Sequence, residues 1–180
     1  MSLPVEAIIS PEPWAEDLAT RSGEDGIINY AIISKAGQYA RNNYGVSSPE
    51  AAGIRSVFAE LDTLTGVSFA ESSPEDADII LYSVKKYRNR NWVGLTEDTG
   101  AQYVATWQDF AGKRLTPFEV SVIKHEIGHT LGLDHPYGDG YYEGVTTQDT
   151  IMSYNDTRPV ATNYSPLDVQ ALQLLWGAPT

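Results

Sequence analysis

The chain has 180 residues, 24 acidic against 12 basic, a net charge of −12 and no cysteine. A single domain of this length buries roughly 70% of the surface its unfolded chain exposes. The charge repels nucleic acid and anionic membrane surfaces, and the lack of cysteine excludes a disulfide framework and any thiolate metal site. No apolar run approaches the length of a bilayer span, and the N-terminal MSLPVEAIIS lacks the basic start and apolar core of a Sec-type leader.

In chain order, residues 1–24 carry three prolines and many acids and read as irregular chain wrapping the domain. The isoleucine-rich run Gly26 to Ile33 predicts a buried strand, and residues 34–47 show no decisive period. Ser48-Pro49-Glu50 starts a helix, with serine as cap, proline in the first turn and an acid at the positive end of the dipole. Ile54, Val57, Phe58, Leu61 and Leu64 follow at helical spacing, and Gly66 ends it. Val67 and Phe69 open a short strand, Ser73 to Asp76 is a turn, and Asp78 to Ser83 is a second buried strand. Lys85, Lys86, Arg88 and Arg90 share one loop with Tyr87 and Trp92 nearby, but the acidic remainder favours a solvated loop tip over a nucleic-acid patch. Trp92 to Thr96 and Gln102 to Trp107 read as strands separated by a turn at Glu97 to Gly100.

Thr116-Pro117-Phe118-Glu119 is a capping box with proline at the first helical position. The helix it starts is apolar on more than one face, through Phe118, Val122, Ile123, Ile127 and Leu131, so it is buried. Tyr137 to Gly144 reads either as a wall of a substrate pocket or as a plain connecting loop. Thr150 to Asn155 is a short apolar turn. Ser165 to Asp168 caps a last helix, with Leu167, Ala171, Leu174 and Leu175 on one side and Gly177 at its end, and Asp168 serving only as its first-turn acid. The element order predicts an α+β (α/β) domain with helices packed on a sheet. The turn after Gly132 separates a larger part (1–132) from a smaller one (133–180), with a substrate cleft between them.

All three histidines of the chain fall within Val122 to Pro136, in the spacing H-E-x-x-H-x-x-G-x-x-H. Four residues apart on a helix, His125 and His129 present their imidazoles on one face. Gly132 can end the helix in the left-handed conformation and return the chain, so that His135 becomes a third ligand. Three protein ligands leave a fourth position open, which marks a catalytic rather than a structural zinc site. Glu126 is rotated away from ligation but within reach of a water there. Asp134 reads as exposed.

This signature is that of the metzincins. Together with the turn Thr150-Ile-Met-Ser-Tyr-Asn155, the chain from about residue 26 onward resembles their serralysin-like metallopeptidases. The absence of cysteines and of spare histidines sets it apart from the astacin, adamalysin and matrixin branches. The resemblance implies a twisted, mostly parallel sheet with an antiparallel edge strand and a small C-terminal subdomain, making residues 1–180 one catalytic domain. It implies a zinc-dependent endopeptidase in which His125, His129 and His135 hold one catalytic zinc and Glu126 is the general base acting on a zinc-bound water. Met152 lies in the family's methionine turn, and Tyr154 approaches the transition state. A protein or peptide substrate would lie extended along the edge strand at about Trp92 to Thr96, on a monomer with no nucleic-acid or membrane partner. Relatives in this group are extracellular bacterial proteins that continue into calcium-binding repeats. No such repeat is present here, and calcium is not indicated. The competing class is a catalytically inactive zinc-binding module for protein interaction, which would need neither Glu126 nor Tyr154. A purely structural zinc conflicts with the open fourth position.

Overall fold

The computed structural model describes residues 3–23, 25–112 and 114–179. Strands β1 (Ile27–Ile32), β2 (Ser68–Glu71), β3 (Ile79–Val84), β4 (Gly94–Asp98) and β5 (Tyr103–Gln108) form one sheet in the order β2-β1-β3-β5-β4. The first three and β5 pair in parallel, and β4 runs antiparallel to β5 at the edge. Helices α1 (Trp14–Ser22), α2 (Ser48–Leu64), α3 (Pro117–Thr130) and α4 (Pro166–Trp176) complete a mixed α/β architecture. The expected class therefore holds at the level of a mostly parallel five-stranded sheet with packed helices. Among the described residues, no helix is long and apolar enough to cross a membrane.

Burial follows position in the sheet. All six residues of central β3 are buried, because helices and loops cover both faces, so its sequence is a continuous run rather than an alternation. Edge strand β4 has no buried residue. In α2, Ala51, Ile54, Val57, Phe58 and Leu61 form the buried stripe at three- and four-residue spacing. Helix α3 packs on both β5 and β4. Ten of its fourteen residues are buried, Lys124 among them, whose Nζ meets Glu60 of α2.

Several expectations are corrected. The N-terminal segment is ordered: a short 3-10 turn at Val5–Ile8 precedes α1. Only Ala15 and Leu18 of α1 are buried, so the helix carries almost no periodic signal and owes its stability to tertiary packing, with Trp14 stacked on Tyr103 at 5.0 Å. The cap of α2 is Ser47, whose backbone is extended, and not Ser48; its last cap is Thr65. The edge strand is Gly94–Asp98 rather than Trp92–Thr96. Glu97 and Asp98 stay in it because they pair with Val104 and Tyr103, and Asp98 makes a bidentate pair with Arg21 of α1. In α4, Leu174 is 62% exposed while Leu172 is fully buried.

Candidate metal centre and cleft

The capping box read from Thr116 and Glu119 is formed in both directions and starts α3 at Pro117. At its other end Gly132 takes φ +90°, a conformation that a side chain would strain. The Leu133 amide donates to Gly128 O at 3.0 Å and the Gly132 amide to His129 O at 3.0 Å, which closes the helix in a Schellman motif. The N-terminal segment then holds the reversed chain. The Ser10 amide donates to Gly132 O, the Asp134 amide donates to Ile8 O, and Ile9 bridges Leu133. This fixes the direction in which His135 emerges.

The three histidines converge. His129 Nε2 lies 3.1 Å and His135 Nε2 3.3 Å from His125 Nε2. The His125 Nδ1–H donates to Ile151 O and the His129 Nδ1–H to Leu133 O, both at 2.9 Å. Carbonyls only accept, so these Nδ1 atoms carry the protons and the Nε2 lone pairs point inward. His135 Nδ1 faces the Asp134 carboxylate at 3.5 Å, giving it the same polarity. Three lone pairs this close repel one another, which makes the arrangement suited to a cation. A tetrahedral zinc with Zn–N of about 2.05 Å sets neighbouring nitrogens about 3.3 Å apart, close to both separations. The donor set therefore fits zinc. Burial and mutual repulsion hold the His125 imidazole well below its ordinary pKa and bring His129 down to about 4, so both stay neutral, as ligands must. Asp134 is half-buried and not exposed as expected, because its Oδ1 accepts the His135 amide at 2.7 Å.

Glu126 reaches the same space from the next position of α3. Thr96 Oγ1, on the edge strand, lies 2.7 Å from Glu126 Oε2 and 2.9 Å from Glu126 O, within donating distance of both. The other carboxylate oxygen occupies the place where a Cβ on Gly94 would stand, so only glycine lets the edge strand approach this closely. Burial pushes the Glu126 carboxyl up to about 8. A cation among the neighbouring imidazoles favours its ionised form.

Tyr154 comes from the separate Thr150–Asn155 turn. Its ring stacks on His125 at 5.4 Å and meets His135 at 4.6 Å. It is 45% exposed, and burial of the rest of the ring raises its hydroxyl to about 12, so it remains a proton donor. Fully buried Met152 lies in that turn. Asp168 is not merely the first acid of α4. Wholly buried, it accepts from Thr150 Oγ1, the Ile151 amide and the Ser165 amide. It thereby fixes the carbonyl of Ile151 that orients His125.

Two cavities flank these residues. One of about 510 Å³ is lined by His125, Glu126 and Tyr154 together with Phe118, Ile151 and Asp156. The other, about 400 Å³, holds His129 and His135 and is walled by Ser10, Glu12 and Trp14. Tyr141 lines the first, so the Tyr137–Gly144 loop does form part of a wall. All five site residues expected from the sequence are thus brought together. Sequence reasoning missed Gly94, Thr96, Asp168 and the N-terminal wall. Only Thr96 carried a usable signal, as a polar residue on the expected edge strand. No protein-family model and no curated protein matches this chain.

Proposed function

We propose that this protein is a zinc-dependent endopeptidase of metzincin type, and the observation that carries the reading is the inward convergence of three Nε2 lone pairs beside a buried carboxylate. His125, His129 and His135 would hold the ion, with Nδ1 hydrogen bonds fixing the rings of His125 and His129. When bound, zinc supplies Lewis acidity and water that ionises near neutral pH. Glu126, held by Thr96, accepts the proton of the attacking water and passes it to the leaving amide nitrogen. The Tyr154 hydroxyl donates to the oxyanion that develops on the scissile carbonyl. Substrate binds extended along β4, whose outer side pairs with no other strand among the described residues, and adds to the sheet through main-chain hydrogen bonds.

The retained Glu126 and Tyr154 favour hydrolysis over an inactive binding module, because holding a metal needs neither. Chelator-sensitive cleavage of a generic peptide library is the test. Zinc-loaded protein should cleave it, Tyr154→Phe should keep zinc and lose on the order of 10²–10³ in rate, and Glu126→Ala should keep zinc and lose nearly all activity. Full zinc occupancy with no cleavage of any peptide contradicts the proposal.

A further inference from the structure

The cavity beyond His125 and Tyr154 carries a chemical preference of its own. Its lining combines the apolar side chains of Phe118, Val122 and Ile151 with the polar ones of Asn91, Thr147 and Asp156. The side chains of this lining include no lysine or arginine and two carboxylates. One carboxylate, Glu126, is engaged by Thr96. The other, Asp156, is exposed, and its side chain accepts no hydrogen bond and meets no cation among the described residues. Partial burial shifts its carboxyl upward, and no positive group among the described residues pairs with it. A pocket that combines apolar wall with an uncompensated carboxylate suits a long aliphatic stem ending in a cation, since lysine and arginine bury their stems while keeping the charge at a polar end. The rings of Tyr141 and Trp92, also in the lining, add aromatic faces that attract a cation.

Strand geometry says which side of the cut this pocket serves. Antiparallel pairing is the more stable. A peptide laid antiparallel to β4 enters over Asp98 and Thr96 and leaves over Gly94, toward Trp92 and this cavity. We propose, on the basis of the hydrolytic reading above, that the cavity accepts a lysine or arginine side chain immediately after the scissile bond, with Asp156 as the residue that selects it. The exposed bases Lys85, Lys86, Arg88 and Arg90 stand in the neighbouring loop and outside the lining. They offer the opposite preference, for acidic side chains.

The experiment compares zinc-loaded protein on peptides that differ only at the position after the cut, carrying Lys, Arg, Leu or Glu, in wild type, Asp156→Asn and Asp156→Lys. The readout is the ratio of kcat/KM values within one protein, so a change in the folded fraction cancels. Wild type should favour Lys and Arg over Glu by at least about tenfold. Asp156→Asn should remove most of that preference, and Asp156→Lys should invert it. Cleavage with a Leu or Glu preference that is the same in wild type and Asp156→Asn overturns the proposal and leaves hydrolysis standing. No cleavage of any peptide by zinc-loaded wild type overturns the hydrolytic reading, and the preference with it.

Discussion

Two clusters among the described residues bring three ligand-type side chains within 4.8 Å of one another: His125, His129 and His135, and Glu50, Asp109 and Glu119. Proximity does not distinguish them; the use already made of their lone pairs does. In the histidine cluster hydrogen bonds engage Nδ1 of His125 and His129, leaving every Nε2 directed at a common point. In the carboxylate cluster both oxygens of Glu50 and of Glu119, and Oδ1 of Asp109, are occupied. Glu50 accepts from the Ser47 amide and Trp107 Nε1, and Glu119 accepts from the amides of Phe110, Ala111 and Thr116 and from Thr116 Oγ1. Asp109 accepts from the amides of Ala111 and Gly112. The acids close helix starts and a turn, and the histidines remain available to a cation.

The largest effect that separates the clusters is on acid stability. In metal-free protein His129 has a folded pKa near 4 against 6.5 in the unfolded chain. Its contribution is present above pH 6.5 and is lost as the pH falls from 6.5 toward 4, because the unfolded chain then binds a proton the folded chain refuses. At about 1.4 kcal/mol per unit, the loss reaches roughly 3 kcal/mol. Burial raises Glu50, so its contribution has the opposite sign and improves as the pH falls through its folded value. Glu126, raised to about 8, acts in the opposite direction because its contribution improves as the pH falls from 8. The readout is therefore a difference between proteins: in urea melts of chelated protein, wild type should lose stability relative to His129→Leu as the pH falls from 6.5 to 5. An equal slope in that variant would break the distinction.

Next in size is Gly94→Ala. The new Cβ meets the far end of the Glu126 side chain and not backbone, so the fold tolerates it while the carboxylate is displaced from Thr96. Activity should fall on the order of 10²-fold, with zinc content unchanged and Tm nearly so. An active Gly94→Ala would mean that the Glu126 position seen here is not the working one. Smallest is Glu119→Gln, which keeps a capping residue but exchanges one accepting oxygen for a donor. It should cost about 1 kcal/mol in a denaturant melt and leave zinc content and cleavage intact. Loss of zinc from this variant would make the carboxylates a metal site after all.

How much of this was legible in the sequence depends on how local the cause is. His125, Glu126 and His129 are placed by a single helix whose start is written in Thr116 to Glu119, and His135 by one glycine. These need only short-range geometry. Tyr154 and Met152 were legible only through resemblance, since nothing in a lone tyrosine places it against His135 and His125, 19 and 29 residues earlier, and nothing in a lone methionine buries it beside Gly128. Asp168 reads as an ordinary first-turn acid until α4 packs against the Thr150–Asn155 turn and its carboxylate becomes buried. Gly94 looks like a strand-start glycine until α3 presses Glu126 against it. Helix α1 has too few buried positions for any period to show, and it forms because Trp14 and Arg21 find Tyr103 and Asp98 across the sheet edge. What the sequence hid is what only tertiary contact creates.

The most direct test of the account is the zinc stoichiometry of the purified protein after dialysis, measured in parallel for wild type, His129→Ala and Glu119→Gln. The account predicts one zinc per chain in wild type and in Glu119→Gln, and none in His129→Ala. Zinc retained by His129→Ala, or a wild-type chain that binds none when zinc is supplied, would contradict it.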